Sequence, residues 1–520
     1  MTEKKHRAAE FEGRHFEWLH KSLAPWQNAT FPDLILAAAV GAEVNRPAII
    51  YREQVWTYGE LASAVNTVAK NLISRYGIRH GDLVMMRMEN SDFFIIDYLA
   101  IHRIGAVAVP LNTKLTEREL DYQIQDAKPH LILTKDPLRT AIPCVDPEHL
   151  FAAVQQDVLL PTVRPDDVAT IFYTSGTTGA PKGVIHTHRT LIAGAFQNCR
   201  GWGYEQRHSV TLAMTPLFHI AAHSWFYPVL ANEGTLVVET FKTERALQLI
   251  ARHKVDGFGA VPAMLLMMLE HPHRTHFDLS SVRNIRFGAS SMPPDRIAAL
   301  REAFPNAALY HGMGQTESGG TISVLNDEFA LSKLGSSGLP IPGVAVRVVD
   351  DDGNVVARGC AGEVLARGAH VMAGYLNQPE SSARTLVDGW LYTGDIGIMD
   401  DDGMITLVDR KKDMIIRAGE NIYSSEIENL FLSHAAIREC AIVGLPDPLL
   451  QEVVSAVIVT DETPRAGFKE GLVAFGREHI AGFKVPVRWF FANSLPRTAT
   501  GKVQKQLLRD AILAGSLTEL

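Results

Sequence analysis

The run Tyr173-Thr-Ser-Gly-Thr-Thr-Gly-Ala-Pro-Lys-Gly183 holds three glycines, five hydroxyl side chains and one lysine. Glycines let backbone N–H groups approach anionic oxygens, and hydroxyls add further donors. The chemistry suited to such a run is the grip of a polyphosphate. It is not the P-loop of nucleoside triphosphatases, which needs Gly-Lys-Ser/Thr. Here Pro181 precedes Lys182 and Gly183 follows it. Composition alone leaves a flexible polar turn as the alternative. Gly312-Met313-Gly314 invites a dinucleotide-binding reading, but Glu317 stands where the third glycine should be.

Five separated segments share one order and spacing. They are Tyr173–Gly183, Gly314-Gln-Thr-Glu317, Tyr392-Thr-Gly-Asp395, Asp409-Arg-Lys-Lys-Asp413 with Gly419-Glu-Asn421, and Pro496-Arg-Thr-Ala-Thr-Gly-Lys502. Together, over Trp56 to Lys505, they resemble the adenylate-forming superfamily of acyl-CoA synthetases, adenylation domains and beetle luciferases. The resemblance implies ATP, Mg2+ and coenzyme A. A carboxylate is joined to the α-phosphate of ATP with release of pyrophosphate, and the acyl group then passes to a thiol. An anion attacks an anion, so cations must offset repulsion on the order of several kcal/mol.

By this resemblance Thr174, Ser175, Gly176, Thr177, Thr178, Gly179 and Lys182 would cradle the phosphates. Gly312, Met313, Gly314, Gln315 and Thr316 would line the nucleotide, and Glu317 would hold Mg2+, which favours oxygen ligands. Asp395 would accept from the ribose hydroxyls, and Arg410 would touch ribose or phosphate. Lys502 matches the family's catalytic lysine, acting with Lys182, Thr316, Glu317 and the gate residue His219. Lys412 falls at the family's pivot, and Ala418-Gly419 at the segment presented to the pantetheine arm. Lys505 reads as an exposed lysine. Taken singly, Asp395 could sit in an ordinary turn, and Arg410 or Lys502 could be a solvated charge.

Two residues depart from the family pattern. Met313 stands where relatives commonly carry an aromatic residue, so ring stacking on adenine gives way to a thioether. Gln451, before Glu452, stands where many relatives carry glycine.

The acyl wall implied by the resemblance comprises Phe218, His219, Ala222, His223, Val261, Gly288, Ala289, Met313 and Gly314. Gly288 and Ala289 would set its depth. Phe218 and Phe287 could instead fill core, and both histidines could be satisfied core residues. With small or apolar residues and no evident arginine, the wall suits an apolar monocarboxylic acid, medium-chain aliphatic or aromatic. The expected function is an AMP-forming acid–CoA ligase. Alternatives are a stand-alone adenylation enzyme loading a carrier-protein thiol, a luciferase-like oxidative enzyme, or a non-catalytic binding protein on the same fold.

The elements that must position these residues are legible as strand–helix alternation over the first 400 residues. Strands are predicted at Leu83–Met88, Val168–Tyr173, Thr211–Met214, Thr235–Val238, Gly257–Val261, Ile285–Ala289 and Ala308–Tyr310. Helices are predicted at Thr190–Asn198, Glu244–His253, Ala263–Leu269 and Arg296–Ala303. Beyond Gly335, short β-rich pieces separated by Gly and Asp turns suggest a small antiparallel barrel or sheet. The fold class is therefore α/β. A large N-terminal domain (1–410) has two α/β layered subdomains and a small β-barrel-like subdomain. A small mobile α+β C-terminal domain (411–520) follows.

The chain has 520 residues, 46% hydrophobic and 21% charged, with a net charge of −8. An acidic chain is poorly suited to nucleic acid or an anionic membrane surface, so anionic substrates must meet locally placed cations. Cys144, Cys199, Cys360 and Cys440 show no metal-ligand spacing and read as buried reduced thiols. The apolar run Leu34–Ala42 is too short to span a membrane. With neither a secretory h-region nor a Ser-Lys-Leu ending, a cytoplasmic setting is expected, without nucleic acid or stable membrane insertion. A homodimer is an assembly this reading allows.

Overall fold

Strand Val168–Thr174 turns back antiparallel into Lys182–Thr187, and this hairpin sits at one side of a sheet that is otherwise mostly parallel. The computed structural model describes residue 19 and residues 21–520 except 137, 155–157, 175–180, 204–206, 289–291, 419, 462–464, 466 and 498–502. The described chain divides into two compact units. The first runs to Arg347 and takes in Leu365–Thr393 and Asp402–Ile405. The second comprises Val348–Val364, Gly394–Asp401 and Thr406–Leu520.

Among the described residues the first unit contains two large sheets. One has seven strands, in the order Gly374–Tyr375, Lys182–Thr187, Val168–Thr174, Val107–Pro110, Leu83–Arg87, Leu131–Thr134 and Cys144–Val145. The other has nine, parallel from Pro47–Tyr51 through Thr235–Val238, Val210–Ala213, Gly257–Ala260 and Asn284–Gly288 to Ala308–Met313, with antiparallel strands at both edges. Strands Val107–Pro110, Leu131–Thr134 and Thr235–Val238 are buried at every residue. Such continuous burial is what a parallel sheet covered on both faces requires. Thr187 caps the helix His188–Gly201: its hydroxyl accepts from Thr190 N–H, while the Thr190 hydroxyl accepts from Thr187 N–H at 3.0 Å.

The second unit contains a six-stranded sheet built on the long hairpin of Glu439–Asp447 with Gln451–Val459. Alternate residues of this hairpin enter different cores. Cys440 and Ile442 pack with Phe431 and Trp489, whereas Ala441 and Val443 pack with Phe490 and Leu508. The period of two gives helices to both faces and makes the unit α+β. A further five-stranded sheet is built from strands within residues 344–410.

Most predicted elements appear with ends shifted by one to three residues. Strand Ala308–Met313 is the instructive difference, because it runs three residues past the predicted end and carries Gly312 and Met313 into the sheet. Gly312 is needed for packing. A Cβ there would lie 2.2 Å from the Trp202 ring. The thiol expectation also needs correction: the four cysteines are free, but only Cys440 is buried, and Cys144 and Cys360 are exposed. Cys144 sits on a two-residue strand at the sheet edge, where one side faces solvent. The apolar run Leu34–Ala42 breaks into a short helix and two 3-10 turns, and no helix among the described residues is long and apolar enough to cross a membrane.

Among the described residues, five histidine rings lie in the interior of the first unit. Burial pushes His186, His188 and His370 down to about 4, and drives His102 and His223 well below the ordinary histidine value. A depressed folded pKa means that the unfolded chain binds the proton first. The associated stability is present above pH 6.5 and is lost as pH falls toward 4. Each such group contributes a slope of up to about 1.4 kcal/mol per pH unit in that window. Denaturant midpoints should therefore drop steeply between pH 6.5 and 4. His370→Gln should show a shallower drop than the parent, and equal slopes would remove buried histidine as the cause.

Candidate active site

The antiparallel hairpin sets Thr174 opposite Lys182, so the predicted phosphate loop is closed at its base by a strand pair. Residues Ser175, Gly176, Thr177, Thr178 and Gly179 lie outside the described residues. Lys182 is half-buried, with its ammonium 4.8 Å from the centre of the Tyr375 ring. Tyr375 reaches this place because Gly374–Tyr375 pairs with the same strand, Tyr375 opposite Val184. Its hydroxyl donates to Glu317 Oε1 at 2.9 Å. Lys182, Tyr375 and Glu317 thus form one constellation. Tyr375 was not among the residues expected from the sequence.

Gln315, Thr316 and Glu317 sit half-buried on a short 3-10 turn, closed by the Ser318 hydroxyl, which accepts from Gln315 N–H at 3.1 Å. The Thr316 carbonyl accepts from His186 Nε2 at 2.9 Å, and the Glu317 carbonyl from Met372 N–H at 2.9 Å. The turn is therefore fixed from two directions. Gly314, at its start, has its Cα against the Gly320 carbonyl, so that a Cβ would lie 1.7 Å away. The oxygen donors of Glu317 and Thr316 form a donor set that suits Mg2+. The Met313 sulfur lies beneath, 6% exposed, and accepts from the Ser323 hydroxyl at 3.7 Å. The same hydroxyl also reaches the Ser337 carbonyl at 2.8 Å, so the sulfur has at most a shared, weak donor.

In the second unit Asp395 is 5% exposed and meets Arg410, whose Nε lies 2.7 Å from Oδ1. A buried carboxylate needs such a partner. Glu363 organises both flanks: it accepts from Gly394 N–H at 3.1 Å and from Lys411 Nζ at 3.0 Å. Lys411 also pairs with Asp351 at 3.0 Å. Lys412 is exposed on the turn that follows. Just before it, the Asp409 carboxylate caps the helix Ser424–Leu432, accepting from Ser424 N–H, from the Ser424 hydroxyl at 2.7 Å and from Ser425 N–H at 3.3 Å. Lys505 contradicts the expectation of an exposed lysine. Its ammonium bonds the Ser424 hydroxyl at 2.6 Å and Glu428 at 2.7 Å, with its side chain 17% exposed.

Lys502 and Gly419 lie outside the described residues. Ala418 is exposed with φ +52°, and its N–H donates to the Leu450 carbonyl. Gln451 takes φ +68° in the adjoining turn. This accounts for the glycine expected at that position: glycine meets no Cβ penalty there.

The residues expected in the acyl wall differ in burial. Phe218 is half-buried and His219 exposed, with His219 Nδ1 accepting from Ala221 N–H at 3.1 Å. Ala222 is buried and Val261 half-buried. Ala289 lies outside the described residues. His223 takes the core role that the sequence left open: its Nε2 bonds the Tyr98 hydroxyl at 2.7 Å among Phe31, Phe172 and Tyr227. Phe287 likewise fills core and stacks on His311. Gly288 pairs with Gly312 on the next strand, and a Cβ there would stand 2.6 Å from the Gly312 carbonyl. Close backbone approach accounts for glycine at 288.

Comparison with known proteins gives this architecture a class. Residues 36–376 match the AMP-binding enzyme family model, and 426–502 match the AMP-binding enzyme C-terminal domain. A feruloyl-CoA synthase of Amycolatopsis sp is 35% identical, covering 87% of this chain and 93% of that protein. A long-chain-fatty-acid–CoA ligase of Bacillus subtilis is 29% identical over 93% of this chain and 95% of its own. The O-succinylbenzoate coenzyme A synthetase of Bacillus subtilis, solved with ATP and magnesium ion, superposes with a TM-score of 0.84. It is 30% identical, covering 92% of this chain and 99% of that one. The chain belongs to the AMP-binding enzyme family and is an AMP-forming acid–CoA ligase in class, using ATP, Mg2+ and coenzyme A.

The geometry at Gly288 makes a direct prediction. Gly288→Ala should lower the unfolding free energy by roughly 1–3 kcal/mol, read from denaturant curves, without reordering the acids accepted. Parent-like stability with selective loss of bulky acids would restore a pocket-depth role for this residue.

Proposed function

We propose that this enzyme activates an apolar monocarboxylic acid, aromatic or medium-chain aliphatic, and transfers it to coenzyme A. The observation that carries this reading is the state of Arg286. It lies on the strand that ends at Gly288, and its guanidinium is fully buried, donating to the carbonyl of Trp225 at 2.7 Å. Apolar or small residues at Ala222, Val261 and Met313 support the same reading. So does the similarity to proteins named feruloyl-CoA synthase and 4-coumarate–CoA ligase.

In the first half-reaction the substrate carboxylate attacks the α-phosphorus of ATP, the bond to the β-phosphate oxygen breaks, and pyrophosphate leaves. Thr174 and Lys182 stand at the base of the loop that would hold the phosphates, and Lys182 offsets charge on the departing group. Glu317 and Thr316 would hold Mg2+, which when bound supplies positive charge shared among phosphate oxygens. Asp395 would accept from the ribose hydroxyls, held in place by the Arg410 guanidinium 2.7 Å from its Oδ1. In the second half-reaction the thiol sulfur attacks the acyl carbon, AMP leaves with the bonding pair, and the thiol proton passes to solvent or base. The segment 411–520 would reorient about Lys412 between the two, bringing Ala418 and Gly419 to the thiol arm.

The test is pyrophosphate release and acyl-CoA formation with free coenzyme A and no carrier protein. Substituted cinnamic and benzoic acids should be compared with C6–C16 fatty acids and dicarboxylic controls. Preference for a dicarboxylic acid, or a need for a carrier protein, would overturn the reading. A second prediction concerns Lys502. Lys502→Ala should slow pyrophosphate release by about 10²–10³-fold. Supplied with presynthesised acyl-AMP and coenzyme A, the same variant should form thioester at nearly the parent rate. Equal loss in both steps would contradict a lysine confined to adenylation. Lys505 is unsuitable as an inert control, because it pairs with Glu428 and Ser424.

A further inference from the structure

Lys182 and Glu317 carry opposite charges and contact the same side chain, yet among the described residues neither forms an ion pair. The side chain that both contact is Tyr375, 8% exposed. Its ring face takes the ammonium and its hydroxyl takes one carboxylate oxygen. The backbone leaves it little freedom. Tyr375 N–H donates to the Ser382 hydroxyl at 2.8 Å, Tyr375 is paired with Val184, and Met372 N–H is bonded to the Glu317 carbonyl. One short strap, residues 372–375, thus fixes Glu317 at both its main chain and its side chain.

We propose that Tyr375 is a positioning residue for the metal–nucleotide complex: it holds the Glu317 carboxylate by one oxygen, seats the Lys182 ammonium on its ring, and keeps the two from neutralising each other. This rests on the reading of Glu317 as the metal-holding residue. The arrangement fits that role, since a carboxylate fixed at one oxygen keeps the second for a cation, and a lysine on an aromatic face keeps its charge for phosphate. A phenol is ordinarily protonated at physiological pH, so its hydroxyl can donate to the carboxylate. A phenylalanine would keep the ring and lose the donor. A leucine would lose both and let lysine and glutamate close on one another.

The experiment is calorimetric binding of ATP to the full-length protein without acid substrate, once with excess MgCl2 and once with EDTA. Parent, Tyr375→Phe, Tyr375→Leu, Glu317→Gln and the Tyr375→Phe/Glu317→Gln double variant are compared, with thermal unfolding as the check on folding. Tyr375→Phe should lose roughly ten-fold or more of the affinity gained on adding Mg2+, the scale of a hydrogen bond to a charged group. Its binding in EDTA should stay near the parent value. Tyr375→Leu should also weaken binding in EDTA, by about three-fold or more. The double variant should match Glu317→Gln alone, because the hydroxyl acts through that carboxylate.

A Tyr375→Phe protein with the parent's full Mg2+ gain, while Glu317→Gln loses it, overturns the inference and leaves the metal assignment standing. A Glu317→Gln protein that keeps the gain overturns the metal assignment and this inference with it. A folded Tyr375→Leu protein that binds ATP in EDTA as the parent does removes the part assigned to the ring.

Discussion

Keeping a lysine and a glutamate close without letting them pair is the constraint on which the first unit's chemistry depends. At about 4 Å and an effective dielectric of about 20 such charges attract by about 4 kcal/mol, enough to collapse into a salt bridge that would serve neither phosphate nor metal. Tyr375 meets both side chains, its ring against the Lys182 ammonium and its hydroxyl on Glu317. Each larger element nearby holds one member of this arrangement. The hairpin Val168–Thr187 places Lys182, the strand Ala308–Met313 leads into the turn bearing Glu317, and Gly374–Tyr375 pairs onto the hairpin edge. In a chain of net charge −8, cationic character at a phosphate site has to be built this locally.

The second unit solves the opposite problem, a charge that must be buried. Asp395 is matched by Arg410, and Glu363 in turn ties down the backbone on either side of that pair through Gly394 and Lys411. Asp395 and Glu363 thus each meet a cation, and Lys411 is itself shared with Asp351. The pair is thereby kept in one geometry, which is what recognition of two neighbouring hydroxyls asks of a carboxylate.

The strand–helix alternation was legible because buried parallel strands are unbroken apolar runs, as in Thr235–Val238, which appears with the expected ends. Glycine was the residue type least legible from sequence. At Gly312 and Gly288 a ring or a neighbouring carbonyl occupies the space of a Cβ. No local pattern announces that. Tyr375 escaped for a related reason. It lies 58 residues from Glu317 on a two-residue strand, too short for any periodicity. His223 and Lys505 were ambiguous by type, and only their partners, Tyr98 and Glu428, decide between site, core and surface. Gln451 differs again, since its left-handed backbone is a property of the turn rather than of the residue.

Asp409 has a consequence for timing. Its carboxylate joins the residue before Arg410 to the helix that begins at Ser424, and Lys505 braces the same serine from the far end of the chain. Any swing at Lys412 that parts residue 409 from residue 424 must first exchange these bonds for water. Such a swing would be held back until those bonds open, by a serine hydroxyl, a lysine and a carboxylate acting together.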